Sequence, residues 1–278
     1  MGRITIKEDL PLLKDITIGQ FFPGKSIVHR LDPRFKIIFT LVFIIMLFMA
    51  DGFVAMGIGV VYVLFAFFIS RIPIKLMLKS LKPIVPIIIF TSVLNILFIK
   101  SGKTLVHFAF ITITDQGLKT AAYMIIRIIA LIVGTSLLTY TTSPIVLTDA
   151  IERLLSPLKK IRVPVHELAM MMTIALRFIP TLIEETDKIM AAQKARGADM
   201  ETGNLIQRAK ALVPVLIPLF VSSFRRAEEL ALAMECRCYH GGEGRTRMKQ
   251  LKAHGRDFAA LLVTAAFLGG VIVINMFF

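Results

Sequence analysis

Cysteine is nearly missing from these 278 residues, and the only two, Cys236 and Cys238, stand one residue apart. Cys-x-Cys followed by His240 falls short of the Cys-x₂₋₄-Cys pairs and four ligands of structural zinc, so no metal site is expected. Nucleotide chemistry is missing too. Gly102-Lys103-Thr104 matches the end of a phosphate-binding loop, but Leu97 stands where the first glycine is required. His166-Glu167 opens a zinc-protease pattern whose second histidine position holds Met170. Gly241–Gly244 follows no predicted strand and reads as a loop rather than a phosphate cradle. No Ser/Gly linker or low-complexity tract divides the chain. Acids are scarce, 19 against 33 Lys and Arg, for a formal net charge of +14.

What the chain has in excess is apolar residues. They make up 56% of it, above the roughly 45–50% of soluble domains, with a mean hydropathy of +0.75. They gather into runs of membrane length, since a hydrocarbon core of about 30 Å takes roughly 17–25 helical residues. Five spans are expected, at Phe35–Ala50, Phe53–Ser70, Pro83–Ile99, Gly117–Tyr140 and Phe258–Phe278. The first and third are near the short limit. A cleavable signal peptide is not expected, because the first run begins only at Phe35 and follows Pro11, Pro23 and Pro33.

The distribution of charge matters more than its sum. Arg71, Lys75, Lys79 and Lys82 crowd one loop without an acid, whereas the segment after the third span carries only Lys100, Lys103 and Asp115. The positive-inside rule then puts the N-terminus, the Arg71–Lys82 loop and the Thr141–Arg256 region in the cytoplasm, with Asp51, Lys100–Gln116 and Phe278 outside. Basic groups flanking spans are explained by topogenesis and membrane lipid, so nucleic acid is not an expected partner. The reducing cytosol also argues against a Cys236–Cys238 disulfide. Three parts are expected: 1–140, an N-terminal segment with four spans; 141–256, a cytoplasmic helical region; and 257–278, the last span.

The cytoplasmic region carries the most information. Pro144–Ile161 reads as a short amphipathic helix, with Val146, Ala150, Ile151, Leu154, Leu155 and Leu158 on one stripe. After Pro164 a longer helix has Leu168, Met171, Met172, Ala175, Phe178, Ile179, Leu182, Ile183, Ile189 and Met190 at three- and four-residue steps. Gly197 is placed to stop it. Pro180 should kink it without ending it. Leu205–Met234 repeats the plan, bending at Pro214 and Pro218. Placing Arg196 on Arg237 aligns Asp187 with Glu228 and Ala192 with Ala233. Each helix thus closes on a lone arginine among small residues: Ala195-Arg196-Gly197 and Cys236-Arg237-Cys238.

A cation in the last turn of a helix is favourable by about 0.3–1 kcal/mol, so capping alone accounts for either arginine. Small neighbours add a second reading. They let a partner approach the backbone while the guanidinium forks onto a carboxylate, a geometry that lysine lacks. Inside the fourth span Arg127 carries an insertion cost of at least about 2.5–3.5 kcal/mol and should face the bundle or an aqueous gap. Asn95 in the third span is its candidate partner in an intramembrane polar tie.

Gln193-Lys194-Ala195-Arg196-Gly197 and Ala233-Met234-Glu235-Cys236-Arg237-Cys238-Tyr239 resemble the paired X-Arg-X signature of the transmembrane T component of energy-coupling factor (ECF) transporters, the EcfT/CbiQ-like family. Ser26-Ile27-Val28-His29-Arg30-Leu31-Asp32-Pro33-Arg34 and Gly241-Gly242-Glu243-Gly244-Arg245-Thr246 agree with it. The resemblance covers nearly the whole chain, and its specificity lies in four ordered segments rather than any tripeptide. It implies an all-α integral membrane protein of about five spans plus long kinked cytoplasmic coupling helices. It implies a non-catalytic subunit joining two ABC-type ATPases, as a homo- or heterodimer, to an interchangeable S component that binds a vitamin or metal ion. No cofactor would bind directly, and ATP would be used by the ATPases.

Arg196 and Arg237, with Ala195, Gly197, Cys236 and Cys238 around them, would be the ATPase-docking residues. The kinked helices would transmit closure to an S component that topples in the membrane. Cys236 and Cys238 stand where alanine and glycine or serine are common in the family. They remain small, although Cys238 is a costlier left-handed stop than glycine. A permease that itself lines the substrate path, and a membrane enzyme or receptor, remain as alternatives. A permease would bind substrate alone, and an enzyme would turn over without ATPases.

Overall fold

The computed structural model describes residues 21–108, 111–199, 202, 204–241, 251 and 253–277. Nine α-helices account for most of them: α1 Pro33–Met49, α2 Gly52–Ser70, α3 Ile74–Leu81, α4 Val85–Phe98, α5 Asp115–Thr141, α6 Pro144–Leu154, α7 Val165–Ala195, α8 Leu205–Glu235 and α9 Gly255–Phe277. The sequence expectation of an all-helical chain holds apart from one short antiparallel hairpin, β1 Thr104–Phe108 and β2 Ile111–Thr114.

Among the described residues six stretches are long and apolar enough to cross a membrane: α2, Ile74–Phe98, α5, α7, Ile206–Glu235 and α9. The expected five spans coincide with α1, α2, α4, α5 and α9. At 17 residues α1 sits at the short limit, whereas the stretches in α7 and α8 are long and only moderately apolar, with a mean hydropathy of 1.3. The third expected span is subdivided. Pro83 and Pro86 supply no N–H, so a short 3₁₀ turn, Lys82–Ile84, separates α3 from a 14-residue α4. The basic Arg71–Lys82 segment, read as a loop, is mostly this amphipathic α3. Pro157 acts similarly: the helix expected over Pro144–Ile161 stops at Leu154, and Ser156–Ile161 continues as 3₁₀.

The chain divides into two compact units, Gly19–Ala150 with Gln250–Phe278, and Ile151–Lys249. In the first, α5 packs on α1, α2, α3 and α4, while α9 packs on α1 and α2. Phe43, Met46, Leu47, Met56, Val63, Val133 and Val271 form its core. Gly134 is fixed by that packing, since a Cβ there would lie 2.2 Å from the Phe43 ring.

Both ends of α1 are tied by polar groups. At its start the Asp32 carboxylate accepts from Arg34 N–H at 2.9 Å and pairs with the Arg34 guanidinium at 2.7 Å. The Asp32 N–H donates to Asp257 Oδ1 at 2.8 Å, and Asp257 Oδ2 accepts from His254 N–H at 2.7 Å. Buried Lys36 donates to the carbonyls of His29 and Thr141 at 3.2 and 3.0 Å. At the other end, Asn275 of α9 donates to the Met49 carbonyl and accepts from Asp51 N–H at 3.2 Å.

The second unit is built on α7 packed against α8. Both helices run on through their internal prolines, Pro180 in α7, and Pro214 and Pro218 in α8.

Candidate functional site: two arginine-tipped helix ends

The two arginines share one backbone station. At the end of α7, Gly197 N–H donates to the Lys194 carbonyl at 3.0 Å and Ala198 N–H donates to the Gln193 carbonyl at 3.0 Å. At the end of α8, Cys238 N–H donates to the Glu235 carbonyl at 2.8 Å and Tyr239 N–H donates to the Met234 carbonyl at 3.1 Å. These are the two crossed bonds of a Schellman closure, in which the residue after the cap turns left-handed. That residue is Gly197, with φ +87°, in one helix and Cys238, with φ +56°, in the other. The same offset that places Arg196 on Arg237 superimposes both bonds.

Regular α8 ends at Glu235, and Cys236 prolongs the last turn before Arg237 N–H reaches back three residues to the Met234 carbonyl at 3.1 Å. Ala195, Arg196, Gly197, Cys236, Arg237 and Cys238 are all exposed, and both cysteines are free thiols. Each closure meets two of the end carbonyls internally, those of Gln193 and Lys194 in α7 and of Met234 and Glu235 in α8. The guanidinium is not needed as the donor to those two, and it keeps a favourable dipole term.

Three contacts behind these ends join α7 to α8. Pro218 has no N–H for the carbonyl four residues earlier, and that carbonyl, of Pro214, accepts instead from Gln193 Nε2 at 3.2 Å. The signature segment ahead of Arg196 thus supplies the donor that a proline removed. Further along, Arg226 pairs with Glu185 at 2.9 Å, and the Ser222 hydroxyl also donates to Glu185. Glu185 and Arg226 are themselves equivalent when Arg196 is placed on Arg237. Sequence reasoning missed the Glu185–Arg226 pair, although that same alignment makes the two positions equivalent and they carry opposite charge.

Arg127 is placed differently from the expected tie. Its Nη2 donates to the Ala50 carbonyl at 3.2 Å and to the Tyr123 hydroxyl at 2.8 Å. The guanidinium lies over the Tyr123 ring at 4.6 Å and the Phe48 ring at 5.6 Å. Tyr123 donates to the same Ala50 carbonyl. Asn95 instead donates to the Thr91 carbonyl of its own helix at 2.9 Å. Among the described residues no hydrogen bond joins Arg127 to Asn95, so the tie runs from α5 to the α1–α2 turn.

Of the two flanking signature segments, Ser26–Arg34 forms the ordered entry to α1. His29 Nε2 donates to the Phe22 carbonyl at 3.0 Å, which leaves Nδ1 to meet the Ser26 hydroxyl at 2.6 Å in the neutral ring. Burial holds the His29 pKa below its ordinary value, the Phe22 bond opposing and nearby Lys36 adding to the effect. Of the other segment, Gly242–Thr246 lie outside the described residues.

The family model of the cobalt transport protein CbiQ matches residues 24–248. The chain is 58% identical over 253 residues to the energy-coupling factor transporter transmembrane protein EcfT of Clostridium kluyveri, covering 90% of this chain and 93% of that one. The protein of the same description from Thermosediminibacter oceani is 54% identical over 261 residues, 94% and 98% of the two chains. That from Bacillus subtilis is 46% identical over 260 residues, 92% and 98%. These similarities span both units and both arginine motifs, and the chain belongs to the EcfT/CbiQ family, as a multi-pass, non-catalytic transmembrane component of energy-coupling factor transporters.

Proposed function

We propose that this chain is the coupling scaffold of an importer, linking two cytosolic ABC-type ATPases to a small S component that carries a vitamin or a metal ion. Arg196 and Arg237 each dock one ATPase, Ala195, Gly197, Cys236 and Cys238 leaving room for close approach. The chain itself binds no cofactor, and ATP is consumed by the ATPases. The N-terminus, α3 and the Thr141–Arg256 region face the cytoplasm, following the asymmetry of Lys and Arg. The single observation that carries this reading is the repetition of one exposed arginine on one backbone closure at the ends of two packed helices. A pseudo-equivalent pair of tips suits a pair of equivalent partners.

The test is co-purification of the ATPases from a detergent extract with the parent chain and with an Arg196→Glu/Arg237→Glu variant. An interface arginine of this kind is worth about 2 kcal/mol or more, roughly thirtyfold in affinity for each site. The double variant is expected to lose the ATPases while keeping its helicity. Retained capture would sink the docking assignment, and substrate binding by the isolated chain would favour a permease that forms the pathway itself.

A further inference from the structure

Two adjoining cavities lie in the first unit beside the entry to α1. One, of about 790 Å³, has mainly apolar walls that carry two cations: Phe22, Lys25, Ser26, Phe65, Ser70 and Arg71 line it. The other, of about 340 Å³, is apolar and runs among the membrane helices, lined by Phe39, Val63, Ala66, Leu137, Ala260 and Val263. Ile27, Phe65 and Ile69 belong to both. Both volumes fall within the roughly 300–1,000 Å³ of small-molecule sites.

The larger cavity is basic. Lys25 and Arg71 are exposed cations on it, and no acid is among its lining residues. Ser70 is 1% exposed, yet its hydroxyl has no hydrogen-bond partner among the described residues. The wall opposite α2 is held in place, because Phe22 N–H donates to the Tyr140 carbonyl at 2.9 Å and His29 bridges Ser26 to Phe22. Arg71 closes α2 with φ +54°, its N–H bonded to the Phe68 carbonyl at 3.2 Å. Two cations at the mouth of an apolar slot between membrane helices match a molecule with a phosphate at one end and hydrocarbon at the other.

We propose that these cavities bind one anionic glycerophospholipid, its phosphate between Lys25 and Arg71 beside Ser70, and one acyl chain in the slot between α1, α2, α5 and α9. The lipid would brace the Ser26–Arg34 segment against α2, where contacts among the described residues leave a gap. Positive charge at the end of a membrane span attracts anionic lipid, and the slot gives the attraction a fixed address.

Native mass spectrometry of the full chain in detergent, titrated with dioleoyl phosphatidylglycerol or dioleoyl phosphatidylcholine, tests this. The parent should retain one phosphatidylglycerol with a preference on the order of tenfold over phosphatidylcholine. Lys25→Glu/Arg71→Glu should abolish the preference, whereas Lys100→Glu/Lys103→Glu, an equal charge change away from the cavity, should keep it. Ala66→Phe, which fills the slot, should reduce retention of the lipid with the cations intact. Equal retention by the parent and the Lys25/Arg71 variant, or no preference over phosphatidylcholine in the parent, would overturn the proposal. Binding only after removal of residues 1–18 would assign the cavity to the chain's own N-terminal segment and overturn it as well.

Discussion

Arginine at a helix end is ordinarily explained by the helix itself, through partial negative charge and unpaired carbonyls in the last turn. Ahead of Arg196 and Arg237 two carbonyls in each helix are met by the backbone of the residues that follow, so the exposed side chains are not required there. Gly197 was legible as a stop because glycine reaches positive φ without a Cβ penalty. Cys238 adopts the same turn at a cost of about 1–2 kcal/mol, which other features of the site must outweigh. Cys238→Gly should therefore raise the protection of the Cys238 and Tyr239 amides against hydrogen exchange, a gain of up to about 1 kcal/mol, and Gly197→Ala should lower that of Gly197 and Ala198.

Arg127 could be found in the sequence as a costly charge, but its acceptor could not. A backbone carbonyl carries no residue signature, and Ala50 offers its own because the α1–α2 turn leaves it without a helical donor. Charged hydrogen bonds of about 1.5–3 kcal/mol and a cation–π term of about 0.5–2 kcal/mol roughly offset the cost of placing the charge. Arg127→Leu should then move the melting temperature little while speeding amide exchange at Ala50 and Asp51. A large fall in melting temperature would show that the tie does more than order the turn.

At the scale of elements, apolar runs located the membrane helices and periodicity the cytoplasmic ones, and prolines explain where the expectation needed correction. Pro83, Pro86 and Pro157 each remove a donor near a helix start and leave short 3₁₀ turns, which apolar spacing cannot register. Pro180, Pro214 and Pro218 fall within helices that continue. The long-range repair of Pro218, by Gln193 reaching the Pro214 carbonyl, depends on how α7 meets α8 and was invisible in one dimension. The Glu185–Arg226 pair has partner side chains 20% and 38% exposed, so solvent screening limits its worth. A double-mutant cycle of Glu185→Ala and Arg226→Ala should give a coupling of about 0.5–1 kcal/mol in thermal unfolding. Additive single effects would deny that the pair fixes the two helices to each other.

At the scale of the whole molecule, composition and hydropathy identified a multi-pass membrane protein, and ordered motifs identified its family. The ties that hold the membrane helices together were hidden, since they join residues more than two hundred positions apart: Asp32 to Asp257, and Asp51 to Asn275. Asp32 and Asp257 are both acidic and would be read as repelling. The contact works because one contributes its backbone N–H and the other its carboxylate.

The central claim, that the two arginine tips are docking points, is open to a direct readout because the chain's only two cysteines flank Arg237 and are free and exposed. Maleimide labelling of Cys236 and Cys238 should slow by roughly tenfold when the full chain is assembled with its ATPases, a covered thiol being out of reach of the reagent. Arg196→Glu/Arg237→Glu mixed with the same ATPases should label as fast as the free parent. Labelling of the parent at one rate, with and without bound ATPases, would contradict docking at the second tip.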